Sequence, residues 1–240
     1  MGRHRTDDVV AVTVEPDRLS GATAQAPPRV RPRLRGWIHA TGFVVVCVVG
    51  PWLVSEAPTA GTRAALVVYV LSIAALFGVS AAFHIVRWSP AARRRMRRAD
   101  HSTIFLAIAG TYTAVAGLAL HGWAQTVVLV VVWVGALGGI VLRQAWLDAP
   151  KWAVALPYVV VGWSALLVVP QLYRALGGAG FALLLGGGVA YTLGALVYAR
   201  KRPDPWPATF GYHEIFHLCT VVGVVLHFVV IQYYCLPLAR

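Results

Sequence analysis

From Trp37 onward the sequence is a series of long apolar runs with short polar breaks, and this pattern restricts the available folds more than any single motif does. The runs cover about residues 37–55, 64–86, 102–120, 124–143, 152–169, 180–200 and 213–235. Each is close to the ~20 residues that a helix needs to cross the hydrocarbon core of a bilayer. They are continuous rather than alternating, which excludes the strands of a membrane β-barrel. Only 12% of the residues are charged, against about 25% in an ordinary soluble domain. Of the nine acids, four fall in the first 17 residues and Glu56 in a loop, leaving Asp100, Asp148, Asp204 and Glu214 for the rest. The expected fold is an all-α membrane protein, a bundle of seven transmembrane helices.

The segments outside the spans set the orientation. Residues 1–36 show no sustained periodicity and read as a mobile basic tail; residues 236–240 read as a short outer tail. No apolar h-region interrupts the first 36 residues, so no cleavable signal peptide is expected. The stretch Arg29-Val-Arg-Pro-Arg-Leu-Arg35 reads either as a contact for anionic headgroups or as a topology anchor. Of the 21 Lys and Arg residues, 18 fall on one side of the expected bundle: the tail and the loops at 87–101, 143–151 and 200–212. Only Arg63, Arg174 and Arg240 fall on the other. The positive-inside rule then puts the N-terminus in the cytoplasm and the C-terminus outside. A plasma-membrane location, the bacterial inner membrane, is expected. The net charge of +12 is explained by topology, so no nucleic-acid partner is expected. Trp37, Trp52, Trp88, Trp123, Trp152 and Trp206 fall near span ends, as interfacial aromatics do. Cys47, Cys219 and Cys235 lie in apolar stretches and read as core residues rather than a disulfide framework.

This orientation is opposite to that of G-protein-coupled receptors. A retinal protein is disfavoured too, because the only lysines, Lys151 and Lys201, fall in loops. Histidine is the more informative residue. His84 ends the second run, His213 and His217 open the seventh, and Asp100 precedes the third, so topology brings all four to the cytoplasmic depth. Ionisable groups at membrane depth point to function. His213 and His217 are four apart, about 40° around a helix and one turn along it, which lets two imidazoles chelate one ion. His84 supplies a third nitrogen from another helix, and three imidazoles with one open position describe a catalytic zinc site. The His213-Glu-Ile-Phe-His217 pattern also matches the zincin signature. The downstream candidate for a zincin's third ligand is His227, about 15 Å along the same helix from His217, too far to join the same ion.

Glu214 reads either as a favourable carboxylate at a helix N-terminus near Arg200–Arg202 or as a proton-handling group. His227 and Thr220 share the face of His213 and either line a polar cavity or bond a neighbouring helix. His39 and His101 lie near the metal level as candidate extra ligands or supporting groups. His121 reads as interfacial, and Gly186-Gly-Gly188 as a helix-packing surface.

Ser80-Ala-Ala-Phe-His84, Arg97-Arg-Ala-Asp-His-Ser-Thr-Ile-Phe105 with Gly110-Thr-Tyr-Thr113, and His213-Glu-Ile-Phe-His217 resemble the hemolysin III family. That family falls within the progestin and adipoQ receptors and is distantly similar to alkaline ceramidases. The resemblance runs from about residue 33 to 235. It implies seven helices, an inside N-terminus and a zinc ion held by His84, His213 and His217, with Asp100 on the metal's water and Ser80 nearby. There are departures. Many relatives carry a Glu and an Asn ahead of the first-span histidine, whereas Arg35 stands at the Asn position ahead of His39, and the chain contains no Asn. Ala99 and Ala114 replace a Leu and a Pro common in the family.

The expected function is a zinc-dependent hydrolase of a lipid-like amide or ester. Zinc lowers the pKa of a bound water to about 7, Asp100 serves as the base that orients or deprotonates it, and Ser80 stabilises an oxyanion or braces the imidazole. Residence in the membrane suggests a lipid substrate that enters from the bilayer. Two other classes stand beside it: a membrane regulator or receptor-like sensor with structural zinc, and a pore-forming or cytolytic protein.

Overall fold

The computed structural model describes residues 32–240. The tail expected over residues 1–36 lies outside them except for its end, where residues 33–36 form a turn continuous with the first helix. Seven α-helices follow among the described residues: α1 Trp37–Ser55, α2 Ala60–Ile85, α3 Pro90–Ala119, α4 Gly122–Ala145, α5 Lys151–Gly162, α6 Val169–Arg200 and α7 Tyr212–Val230. A 3₁₀ segment, Trp163–Val168, joins α5 to α6, and a π-turn and a 3₁₀ turn carry the chain from Ile231 to Ala239. Six stretches are long and apolar enough to cross a membrane, with Lys151–Arg200 counted as one run of 50 residues.

Local chemistry fixes the helix ends. Thr59 caps α2 by accepting from the amide of Thr62 at 3.1 Å. Ser89 caps α3, accepting from Ala92 at 3.3 Å with Pro90 in the first turn. That cap starts α3 twelve residues before the expected boundary at 102, so the basic cluster at Arg93–Arg98 is helical rather than a loop. Arginine and alanine are good helix formers, and charge does not stop a helix that projects beyond the apolar core.

The expected break at about 170–179 is also placed differently. The chain leaves α-geometry earlier, at Trp163, and the interruption is sealed by a side chain from another helix. Tyr112 of α3 donates from its hydroxyl to the carbonyl of Gly162 at 2.7 Å and accepts from the amide of Ala165 at 2.7 Å. An unpaired backbone group at membrane depth costs several kcal/mol, so such a break survives only where a partner reaches it. Further on, Gly177 adopts φ 66° and ψ 177° inside α6, a left-handed conformation that suits glycine and kinks the helix.

Consecutive helices pack on one another, and α1 also touches α7. Helix α3 is central, in contact with α2, α4, α5, α6 and the C-terminal turns. Of its apolar window 61% is buried, against 17% for α1. Cys47 accordingly faces outward from α1 rather than into the core, while Cys235 is buried. The α2–α3 crossing depends on Gly110, where a Cβ would lie 2.0 Å from Ser72 Oγ and 2.7 Å from Ser72 Cβ. Ser72 is held by its bond to the Tyr69 carbonyl at 2.7 Å, so the helices themselves must part. Gly110→Ala is expected to destabilise the bundle by about 1–3 kcal/mol. Gly138→Ala, at a position where an added Cβ meets nothing within 4 Å, should leave the melting temperature unchanged. Thermal unfolding in detergent, followed by tryptophan fluorescence, compares the two.

Candidate metal centre

The site forms where the last turn of α2 meets the first turn of α7. Four successive constraints place α7. Asp204 accepts from the amide of Tyr212 at 2.9 Å. Glu214 turns back to accept from the amide of Gly211 at 2.9 Å, which satisfies a donor that the helix start leaves open. The same carboxylate is almost fully buried and takes an ion pair from Arg35. Finally Gly194 of α6 lies against Cys219 and Phe216, so α6 and α7 approach closely.

These constraints set His213 and His217 one turn apart on the inner face, opposite His84. One side-chain nitrogen from each of the three lies within 4.8 Å of the other two, an arrangement able to hold a metal ion. The Nε2 atoms of His84 and His213 are 3.1 Å apart. The ring centroids are 4.8 Å apart for His84 and His213, 5.2 Å for His84 and His217, and 4.5 Å for His213 and His217. A tetrahedral ion with nitrogens at about 2.0–2.1 Å separates its ligands by about 3.4 Å. One pair is already inside that spacing, and small ring rotations bring in the third. His84 and His217 are buried and His213 half-buried. A neutral imidazole leaves one ring nitrogen unprotonated with its lone pair free, the form a metal requires.

Asp100 and Ser80 are both buried and line one cavity with His213 and His217, with the Ser80 side chain beside the Asp100 carboxylate. Asp100 does not join the group of mutually close nitrogens. The cavity, about 120 Å³, is walled chiefly by apolar side chains such as Leu76, Ile104 and Ile108. It reaches His227, where a second cavity of about 70 Å³ shares Thr111, Tyr112, Trp163 and Gly188 with it. His227 thus combines both readings of the sequence: it lines the cavity and lies 3.1 Å from the Leu184 carbonyl of α6. Gly187 makes room for it, since a Cβ there would sit 2.3 Å from the imidazole.

The other candidates take different places. His101 also lines the cavity, and Arg143 lies 2.7 Å from its Nδ1. Arg143 also donates to the carbonyls of Trp146 and Leu147 at 2.6 and 3.0 Å, closing the end of α4. His121 precedes α4 at the surface. His39 does stay at the centre, stacked on His217 with centroids 3.8 Å apart and planes 5° from parallel. It stands outside the nitrogen group. Glu214 is held by Arg35 rather than by Arg200–Arg202. Sequence spacing does not reveal that pairing, because the two residues are 179 positions apart; the one clue is a carboxylate with few acidic neighbours in an apolar chain.

Comparisons with known proteins identify the family. The family model for Haemolysin-III related proteins matches residues 29–228. The chain is 33% identical over 204 residues to Hemolysin-3 of Bacillus cereus, covering 84% of this chain and 90% of that protein. It is 37% identical over 136 residues to a Hemolysin-3 homolog of Bacillus subtilis (strain 168), covering 57% and 61%. It is 26% identical over 171 residues to the human monocyte to macrophage differentiation factor, covering 70% and 68%. With its apolar helices, its extended match and its clustered histidines, this multi-pass membrane protein belongs to the haemolysin-III related family.

Proposed function

We propose that this chain is a zinc-dependent hydrolase of a lipid-like amide or ester, with seven spans in the bacterial inner membrane and its metal centre near the cytoplasmic side. The observation that carries the reading is the convergence of His84, His213 and His217 at the head of an apolar cavity. A structural zinc takes four protein ligands, whereas a catalytic one keeps a position open. Three His, Cys, Asp or Glu side chains form the mutually close group among the described residues, which favours the open site over the sensor reading. The name Hemolysin-3, carried by a relative, motivates a second reading as a cytolytic protein. The mainly apolar cavity wall is better suited to a hydrocarbon chain than to a stream of ions.

Zinc, when bound, supplies Lewis acidity toward a carbonyl and acidifies water. The chain's own residues supply the remainder. The Asp100 carboxylate is the base that accepts a proton from the attacking water. The Ser80 hydroxyl donates to that carboxylate and holds it in place. The apolar wall excludes bulk water and takes the substrate's hydrocarbon chain. Two facts support the topology. The Lys151–Arg200 run would be about 75 Å long at 1.5 Å per residue, more than twice the ~30 Å hydrocarbon core, a length that favours two crossings. Eighteen of 21 basic residues fall on the side that this topology turns to the cytoplasm.

Purified protein is expected to carry about one zinc per chain, and His84→Ala, His213→Ala and His217→Ala each to lose it. Mass spectrometry of the metal content decides; full retention in all three rejects the ligand set. Asp100→Asn should keep its zinc while hydrolysis of fluorogenic long-chain acyl amides and esters falls by about 10²–10⁴-fold. Unchanged turnover in a zinc-loaded variant removes Asp100 from the chemistry. A tag ahead of Met1 should be protected in sealed right-side-out vesicles, and one after Arg240 accessible. The opposite pattern would put the site on the outer face.

A further inference from the structure

The two helices that carry the histidines make no extended contact with each other; α1 lies between α2 and α7 and touches both. The separation of His84 from the His213–His217 pair is therefore not set by direct packing of their helices. What bridges them is the segment that leads into α1. The amides of Arg33 and Leu34 donate to the carbonyls of Ala208 and Thr209 at 3.1 and 3.2 Å, tying the segment to the loop before α7. Arg35 then pairs with Glu214, the residue after His213. Gly36 passes directly over α2: at φ 90°, a Cβ there would lie 2.8 Å from the Cβ of His84 and 2.9 Å from Ile85. One turn later His39 stacks on His217 and leans on Phe77 of α2, with centroids 5.0 Å apart.

Five consecutive residues thus reach each of the three histidines, or its neighbour, from one side. We propose that Arg35–His39 is a strap whose positioning residues, Arg35, Gly36 and His39, set the spacing and ring orientation of the metal ligands. The inference rests on the zinc reading above. Its physical basis is that a chelate gains affinity when its ligands are held at the bound geometry before the ion arrives. Helix geometry presets the pair on α7, and only the third ligand must be brought to register. Arg35 does this by fixing the start of α7 against the start of α1. Gly36 lets α1 approach His84 with no side chain between them. His39 restricts rotation of the His217 ring by occupying its face. Its own nitrogens are not needed for that work, which explains why a residue outside the ligand group is buried at its centre.

The experiment uses the full-length protein in detergent, with zinc affinity measured by competition against a fluorescent chelator. Cobalt substitution reports coordination geometry through its visible spectrum. Arg35→Gln and His39→Ala are expected to weaken zinc binding by about 10–100-fold, the effect typical of groups that orient ligands, and to broaden or shift the cobalt bands. Arg35→Lys, which keeps the charge, and His39→Phe, which keeps a flat ring on His217, should recover most of the affinity. Melting of the zinc-free protein should stay near wild type in Arg35→Lys and His39→Phe, whereas Arg35→Gln, which leaves the buried Glu214 carboxylate without its cation, should melt lower. Wild-type affinity in both Arg35→Gln and His39→Ala overturns the strap while leaving the zinc reading intact. So does a loss of affinity with unshifted cobalt bands, because the ligand geometry would then be intact and the segment an ordinary structural contact. A wild-type chain that takes up no zinc overturns both readings.

Discussion

Inside a hydrocarbon slab an unpaired polar group has no water to turn to and costs several kcal/mol, so its position is decided by whatever partner can reach it. That constraint organises this bundle more than side-chain shape does. The interruption after Gly162 exists because the Tyr112 hydroxyl reaches both freed backbone groups. Helix α4 ends where Arg143 gathers the carbonyls of Trp146 and Leu147. Helix α7 begins where Glu214 takes the Gly211 amide and the Arg35 guanidinium together. The histidine cluster is the same rule at higher density. Three imidazoles gathered at one depth share their polarity with each other and with the head of a cavity, an arrangement that a bound cation would complete.

The histidine cluster was legible in the sequence for a simple reason. Depth in a membrane protein is readable from the order of apolar runs, and residues at the same depth on inner faces have few places to be. His84, His213 and His217 come together from that argument alone, and the structure groups them. Azimuth is much less readable, and this is where the alternatives divide. His101 lines the cavity but is held by Arg143 and stands outside the nitrogen group. His39 sits at the right depth and faces the site, yet stacks instead of joining the nitrogen group. Boundaries fail for a related reason. Ser89 and Pro90 are visible cap signals, but hydropathy does not register a helix that continues past the apolar core through Arg93–Arg98. The break at Trp163 was beyond sequence reading, since its cause is a hydroxyl on another helix about fifty residues away.

The cavity adds a constraint on what the site could admit that the histidines alone do not. Polar groups cluster at the α2–α7 end, with Ser80, Asp100, His213 and His217, while the walls beyond are dominated by aliphatic and aromatic residues up to His227. A ligand complementary to such a gradient has a small polar head and an apolar body. Glycines keep that passage open. An added Cβ at Gly188, which lines both cavities, meets no neighbour within 4 Å, whereas at Gly187 it would collide with the His227 ring. The Gly186–Gly188 run therefore serves two functions at once: close packing of α6 on α7 through one face and clearance for the cavity through another.

The basic residues illustrate how one feature can be read at two levels. Counted together, they predict an orientation for the chain, and the count needs no local role for any of them. Four of those on the crowded side nevertheless hold specific partners. Arg35 takes Glu214, Arg97 takes Asp148 at 2.8 Å, and Arg143 takes two carbonyls and His101. Lys151 bonds the Tyr212 hydroxyl at 2.6 Å and lies 4.2 and 4.1 Å from the centres of the Tyr198 and Tyr212 rings. The field that sets topology acts on the sum of charges and is indifferent to which residue bears them. The partners act within a few ångströms and are indifferent to the sum. A chain with few acids must satisfy its cations largely with carbonyls and aromatic faces, so the one buried carboxylate at the start of α7 is a scarce partner. Its commitment to Arg35 ties the segment ahead of α1 to the residue beside His213. In that way a cation counted for orientation also becomes part of how the histidines are held.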